Sequence, residues 1–72
     1  MPDRVLRKFG KRITLLRERT GLSQSQLAKE SGIARVYIVE IERGRRNPTL
    51  RNLVRLAEAL QVPADQLLKG VG

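Results

Sequence analysis

The sequence predicts an all-α domain, and three observations carry that prediction. Apolar residues recur at helical spacings of three and four along most of the chain, and Gly and Pro fall between those runs. One Tyr, one Phe and no Trp, in a chain that is 40% hydrophobic, leave a core of Leu, Ile, Val and Ala. Such a core suits helices better than sheets. With 72 residues a single domain is expected over 1–72, and a domain this small buries only about 60% of the surface its unfolded chain exposes. Its stability is expected to be marginal or shared with a partner.

The first helix is expected from about Asp3 to Arg19, where Leu6, Phe9, Ile13 and Leu16 form an apolar stripe and Asp3 can cap the start. Gly10 costs this helix roughly 1 kcal/mol relative to Ala, which points to close packing against a neighbour. Thr20-Gly21 ends the helix, with Gly21 as its left-handed cap. Ser23 and Gln26 then stand three residues apart at the start of a second helix, Gln24 to Ser31, so hydroxyl and amide can each satisfy an orphan backbone donor.

Gly32 supplies the positive φ of a tight turn, and Ala28, four residues earlier, is small enough to let the next helix cross closely. An Ala-x-x-x-Gly corner alone identifies little. Capping box, Ala28, Gly32, Ile38 and Ile41 in one register form the helix-turn-helix pattern. The third helix is expected over Arg35 to Arg43, with Ile38 and Ile41 inward and Arg35, Val36, Val39, Glu40 and Arg43 outward. Gly44 stops it, and Arg45, Arg46 and Asn47 make a basic loop before Pro48. Thr49 can cap a fourth helix whose apolar residues are Leu50, Leu53, Leu56, Ala57 and Leu60. Pro63 opens a short fifth helix, Ala64 to Lys69, burying Leu67 and a candidate second residue, Leu68.

Fifteen Lys and Arg against seven Asp and Glu give a net charge of +8, a field that attracts polyanions and above all nucleic acid. The absence of Cys and His excludes disulfides, zinc sites and most acid-base catalysis together. With no phosphate-cradling Gly loop or paired inward carboxylates either, an enzyme is not expected. No metal, cofactor or small-molecule ligand is implied. The longest apolar run, Val36 to Val39, is far too short to span a bilayer, and MPDRVLRKFG lacks the apolar block of a signal peptide. A soluble cytoplasmic protein without membrane contact is expected.

The stretches LLRERTGLSQSQLA, SGIARVYIVEIERG, NPTLRNLVRLAEAL and VPADQLL cover most of Phe9 to Leu68. In spacing and residue type they resemble the XRE family of phage Cro and repressor helix-turn-helix proteins. Within it, ARVYI followed by ERGRRNPTL is most similar to the small controller proteins of restriction-modification systems. The resemblance implies a compact repressor-like domain that binds double-stranded DNA as a homodimer on a near-palindromic operator. It places Arg35, Val36 and Glu40 in the major groove and Tyr37 and Arg43 near the DNA backbone. Gln24 matches a phosphate-contacting Gln, Arg46 a residue that reaches the adjacent minor groove, and Arg17 with Glu42 a pair that ties the first helix to the third. Ala34 departs from the family's usual Ser or Thr, removing a cap typically worth about 1 kcal/mol.

The chemistry of these residues agrees with base reading. Arg can donate twice to guanine O6 and N7, Val can touch a thymine methyl, and Glu can accept from cytosine N4. Each also has a plainer reading: Arg35 as a surface cation, Tyr37 as a lid over Ile33 and the core edge, Glu40 as a partner for Arg35 or Arg43, the Arg43, Arg45 and Arg46 cluster as a solubilising face. Leu15, Val54, Leu68 and Val71 are not all needed for the core; a dimer surface on the last two helices would cover some of them, and a satellite core is an equal reading for Leu15 and Val54. The function expected is a sequence-specific DNA-binding transcriptional regulator. The alternative is a protein-interaction module of the same fold, antitoxin-like or coactivator-like.

Overall fold

A computed structural model describes residues 3–72; Met1 and Pro2, the first two residues of the expected domain, lie outside it. Among the described residues are four α-helices, α1 (Arg4–Thr20), α2 (Gln24–Ser31), α3 (Arg35–Glu42) and α4 (Leu50–Leu60), followed by a 3-10 helix at Ala64–Leu68. The closing element is thus not the fifth α-helix expected. Its five residues bury only Leu67, too short an apolar stripe to favour the wider α turn.

Each helix begins and ends on a local device. The Asp3 carboxylate accepts from the Leu6 N–H at 3.1 Å, and Gly21 at φ 78° closes α1 in the left-handed region. In α2 the capping box is complete: Ser23 Oγ accepts from the Gln26 N–H at 3.0 Å, and Gln26 Oε1 accepts from the Ser23 N–H at 2.8 Å. Thr49 caps α4 through the Asn52 N–H at 3.1 Å. Among the four α-helices α3 alone starts without a side-chain cap, at Ala34, as does the 3-10 helix at Pro63, and α3 stops at Glu42, one residue short of the expected end. The far end of α4 is closed by Gln61 at φ 58°, a left-handed residue that is not glycine.

The core is built from α1 (Phe9, Ile13, Leu16), the α2–α3 corner (Leu27, Ile33, Ile38, Ile41) and the C-terminal segment (Leu56, Ala57, Leu60, Leu67, Val71). Its twelve residues are aliphatic apart from Phe9. Of the apolar residues not all needed for the core, Val71 is buried, whereas Leu15, Val54 and Leu68 are exposed. Leu50 also departs from its expected stripe and stands 77% exposed at the first position of α4. A helical stripe has two edges, and sequence spacing alone does not say which edge a neighbour covers. No helix among the described residues is long and apolar enough to cross a membrane.

Two approaches hold α3 in place. α1 packs against it at Gly10, where a Cβ would fall 2.5 Å from the Ile41 carbonyl oxygen and 2.6 Å from that of Glu42. Glycine is the only residue that fits. At the α2–α3 corner the buried Ser31 hydroxyl accepts from the Ile33 N–H at 3.2 Å, satisfying a turn donor that no helix can reach.

Candidate nucleic-acid interface

With Ile38 and Ile41 sealed into the core, the geometry of a 100° step per residue leaves the opposite side of α3 facing out. Arg35 is exposed there, and Val36 beside it is 69% exposed. An isolated β-branched apolar residue so open to water, at the tip of a short rigid rod, suits a contact with a partner. Val39 and Glu40, one turn on, are half-buried. Glu40 forms no salt bridge with Arg35 or Arg43, so the pairing open to it in the sequence is not made.

Beneath this surface lies a polar network joining three elements. Arg17 Nε donates to Glu42 Oε2 at 2.7 Å and its Nη2 to Glu42 Oε1 at 3.2 Å, a two-pronged contact. Arg17 Nη1 also donates to the Leu22 carbonyl at 2.9 Å, which ties down the loop into α2. The hydrogen bond to Glu42 holds the Arg17 pKa above the ordinary arginine value despite burial acting the other way. Gln24 Nε2 completes the set, donating to Glu42 Oε1 at 2.9 Å. One carboxylate therefore fixes α1, the amino end of α2 and the carboxyl end of α3 together. It also turns the Gln24 amide, since only the NH2 end can face a carboxylate.

The loop after α3 is set by another left-handed glycine, Gly44 at φ 75°. The Gly44 N–H donates to the Ile41 carbonyl at 3.0 Å and the Arg45 N–H to the Glu40 carbonyl at 2.9 Å, so the chain folds back over the end of the helix. Arg43, Arg45 and Arg46 emerge exposed from this turn. The Arg46 guanidinium carbon lies 5.2 Å from the centre of the Tyr37 ring, which is half-buried and packs on the core. Among the described residues the Arg17–Glu42 pair is the only salt bridge, leaving Arg35, Arg43, Arg45 and Arg46 without a carboxylate partner. Four unpaired cations therefore stand on α3 and the loop that follows it.

Arg35, Val36, Glu40 and Tyr37 thus share α3, Arg43 and Arg46 follow it directly, and Gln24 joins them through Glu42. Sequence reasoning did not find the Gln24–Glu42 bond or the Arg46–Tyr37 stack. Neither has a local signature, because their partners lie 18 residues apart in one case and across a turn in the other. A separate open cleft of about 430 Å3 lies between α1 and the C-terminal segment, lined by Lys8, Lys11, Arg12, Leu15, Lys69 and Gly70. None of the expected site residues reaches it.

A helix-turn-helix family model matches residues 13–67 of the chain. The control protein C.BamHI of Bacillus amyloliquefaciens is 36% identical over 69 residues, covering 94% of this chain and 85% of that protein. The crystal structure of the restriction-modification controller protein C.AhdI from Aeromonas hydrophila superimposes with a TM-score of 0.85 at 47% identity, covering 86% of this chain and 94% of that one. The DNA-binding domain of the P22 C2 repressor, determined in solution, has a TM-score of 0.81 at 39% identity, with 86% and 82% of the two chains covered.

Proposed function

The chain belongs to the XRE-type helix-turn-helix family of DNA-binding transcription regulators, and from that premise we propose that it acts as a homodimer reading a near-palindromic operator through α3. The observation that carries this reading is the exposed start of α3, Arg35 with Val36, on a rod whose inner face is fully buried. Arg35 donates to guanine, Val36 touches a thymine methyl and Glu40 accepts from a cytosine amino group. Gln24, Tyr37 and Arg43 hold the phosphate backbone, and Arg46 enters the adjacent minor groove, where a narrow A/T-rich segment concentrates negative potential.

Symmetry supplies the second reader. One chain has one α3 and a longest dimension of 31 Å, less than the roughly 34 Å between successive faces of the duplex that a pair of recognition helices must span. Two copies related by a two-fold axis meet that spacing. Leu50, Val54 and Leu68 are apolar, exposed and on the C-terminal elements, and a second copy covers them in this reading. The controllers among the relatives support the assignment of the chain to DNA-binding transcription regulators of this kind.

A gel shift at physiological salt tests it. A selected duplex is expected to stay bound against excess random competitor DNA, and log K is expected to fall with log salt by about 0.9 for each phosphate neutralised. Loss of binding to the competitor at every ratio would leave only a nonspecific polycation.

A further inference from the structure

We infer that Tyr37 is a positioning residue for Arg46: its ring holds the guanidinium beside the outer edge of α3, so the loop cation is set before DNA arrives. This rests on the reading of Arg46 as a DNA-contacting residue and goes beyond the backbone contact assigned to Tyr37 above. The separation of 5.2 Å from the ring centre is inside the distance of about 6 Å at which a ring quadrupole attracts a cation.

Both ends of the stack are anchored. The ring is half-buried and packed on the core, so it cannot swing out without uncovering apolar neighbours. The backbone leading to Arg46 is held by the Arg45 N–H on the Glu40 carbonyl at 2.9 Å and by the turn at Gly44. That glycine sits so close to α1 that a Cβ would fall 2.6 Å from Arg7 Cγ. Between a fixed platform and a fixed turn, only the Arg46 side-chain torsions are left free.

The kind of contact matters as much as its place. A carboxylate partner would occupy the guanidinium's N–H groups, and Arg46 has none among the described residues. A ring face instead attracts the cation through its quadrupole without taking up its N–H groups as a carboxylate would, so the donors stay available for phosphate or base edges. Stacking therefore pre-orders the cation without satisfying it. The entropy of immobilising a long side chain is met largely before binding, which raises affinity.

The test uses the full chain with Tyr37→Leu, Tyr37→Phe, Arg46→Ala and the Tyr37→Leu/Arg46→Ala combination, all checked for helicity by circular dichroism. In the free protein the Arg46 δ-methylene protons are expected to resonate upfield through the ring current, in wild type and Tyr37→Phe alike, and to return to ordinary positions in Tyr37→Leu. On a selected duplex Tyr37→Leu is expected to bind about two- to fivefold more weakly than Tyr37→Phe, because both lose the hydroxyl's backbone contact and only Tyr37→Leu loses the ring beneath Arg46. The combined variant is expected to bind more tightly than the product of the two single effects, because the second change has nothing left to disturb. Additive effects, a Tyr37→Phe variant as weak as Tyr37→Leu, or an Arg46 spectrum indifferent to the ring would each overturn the positioning role. An Arg46→Ala protein that binds as wild type would instead overturn the DNA role of Arg46, and the positioning role with it.

Discussion

Arg17 and Glu42 meet through two hydrogen bonds, at 2.7 and 3.2 Å, across the junction of the first and third helices. Their side chains are only 14% and 6% exposed, so the charges are held in a poorly hydrated place and depend on each other. The same carboxylate holds Gln24. The exposed face of α3 is thereby fixed relative to the start of α2 by a single acidic residue.

Removing that acid strands a buried cation. Glu42→Ala is expected to cost about 3 to 5 kcal/mol, a large part of the whole stability of a 72-residue chain. Urea unfolding followed by circular dichroism checks it. A midpoint within error of wild type would show that the pair contributes nothing.

Gly10→Ala sets two effects against each other. Helix propensity favours Ala by about 1 kcal/mol, yet the new methyl would sit 2.5 Å from the Ile41 carbonyl oxygen, a backbone atom with no rotamer to escape into. The clash is expected to win, with a net loss of about 1 to 3 kcal/mol. For a domain of this size the melting temperature falls roughly 4 to 8 °C for each kcal/mol, and an increase on calorimetry would contradict the close approach of α1 and α3.

Gln61 offers the opposite sign. It adopts φ 58° at the end of α4, a conformation that costs an L-residue about 1 to 2 kcal/mol and glycine almost nothing. Gln61→Gly is expected to raise stability by about 0.5 to 1 kcal/mol after the added freedom of the unfolded chain is subtracted. Thermal unfolding measures it directly, and a drop in melting temperature would refute the strain.

The proposed dimer is expected to respond to charge on the C-terminal apolar surface. Leu50 is 77% exposed, so Leu50→Glu removes little from the core, and with Val54→Glu it should shift sedimentation equilibrium toward monomer while helicity stays unchanged. A dimer that persists in the double variant places the interface elsewhere.

The helix-turn-helix was legible because its determinants are local: Ser23 and Gln26 cap each other, and Gly21 and Gly32 take left-handed turns. Packing that depends on distant partners was not. Leu50 looked inward by spacing and is exposed, spacing did not single out Val71 and it is buried, and the last helix tightened into a 3-10 turn. The exposure of Arg35 and Val36 at the start of α3 followed from the motif. The bond from Gln24 to Glu42 and the stack of Arg46 on Tyr37 depend on how separate elements meet in space, which spacing along the chain does not encode.

Selection of binding sites from a pool of randomised duplexes, run in parallel on wild type and Arg35→Ala, tests the role of α3 most directly. Wild type is expected to enrich an inverted repeat whose half-site centres lie about one DNA turn, roughly 34 Å, apart. Arg35→Ala is expected to lose preference at one symmetry-related position in each half-site and about 1 to 3 kcal/mol of affinity. Enrichment of no sequence by wild type, or the same profile from both proteins, would contradict it.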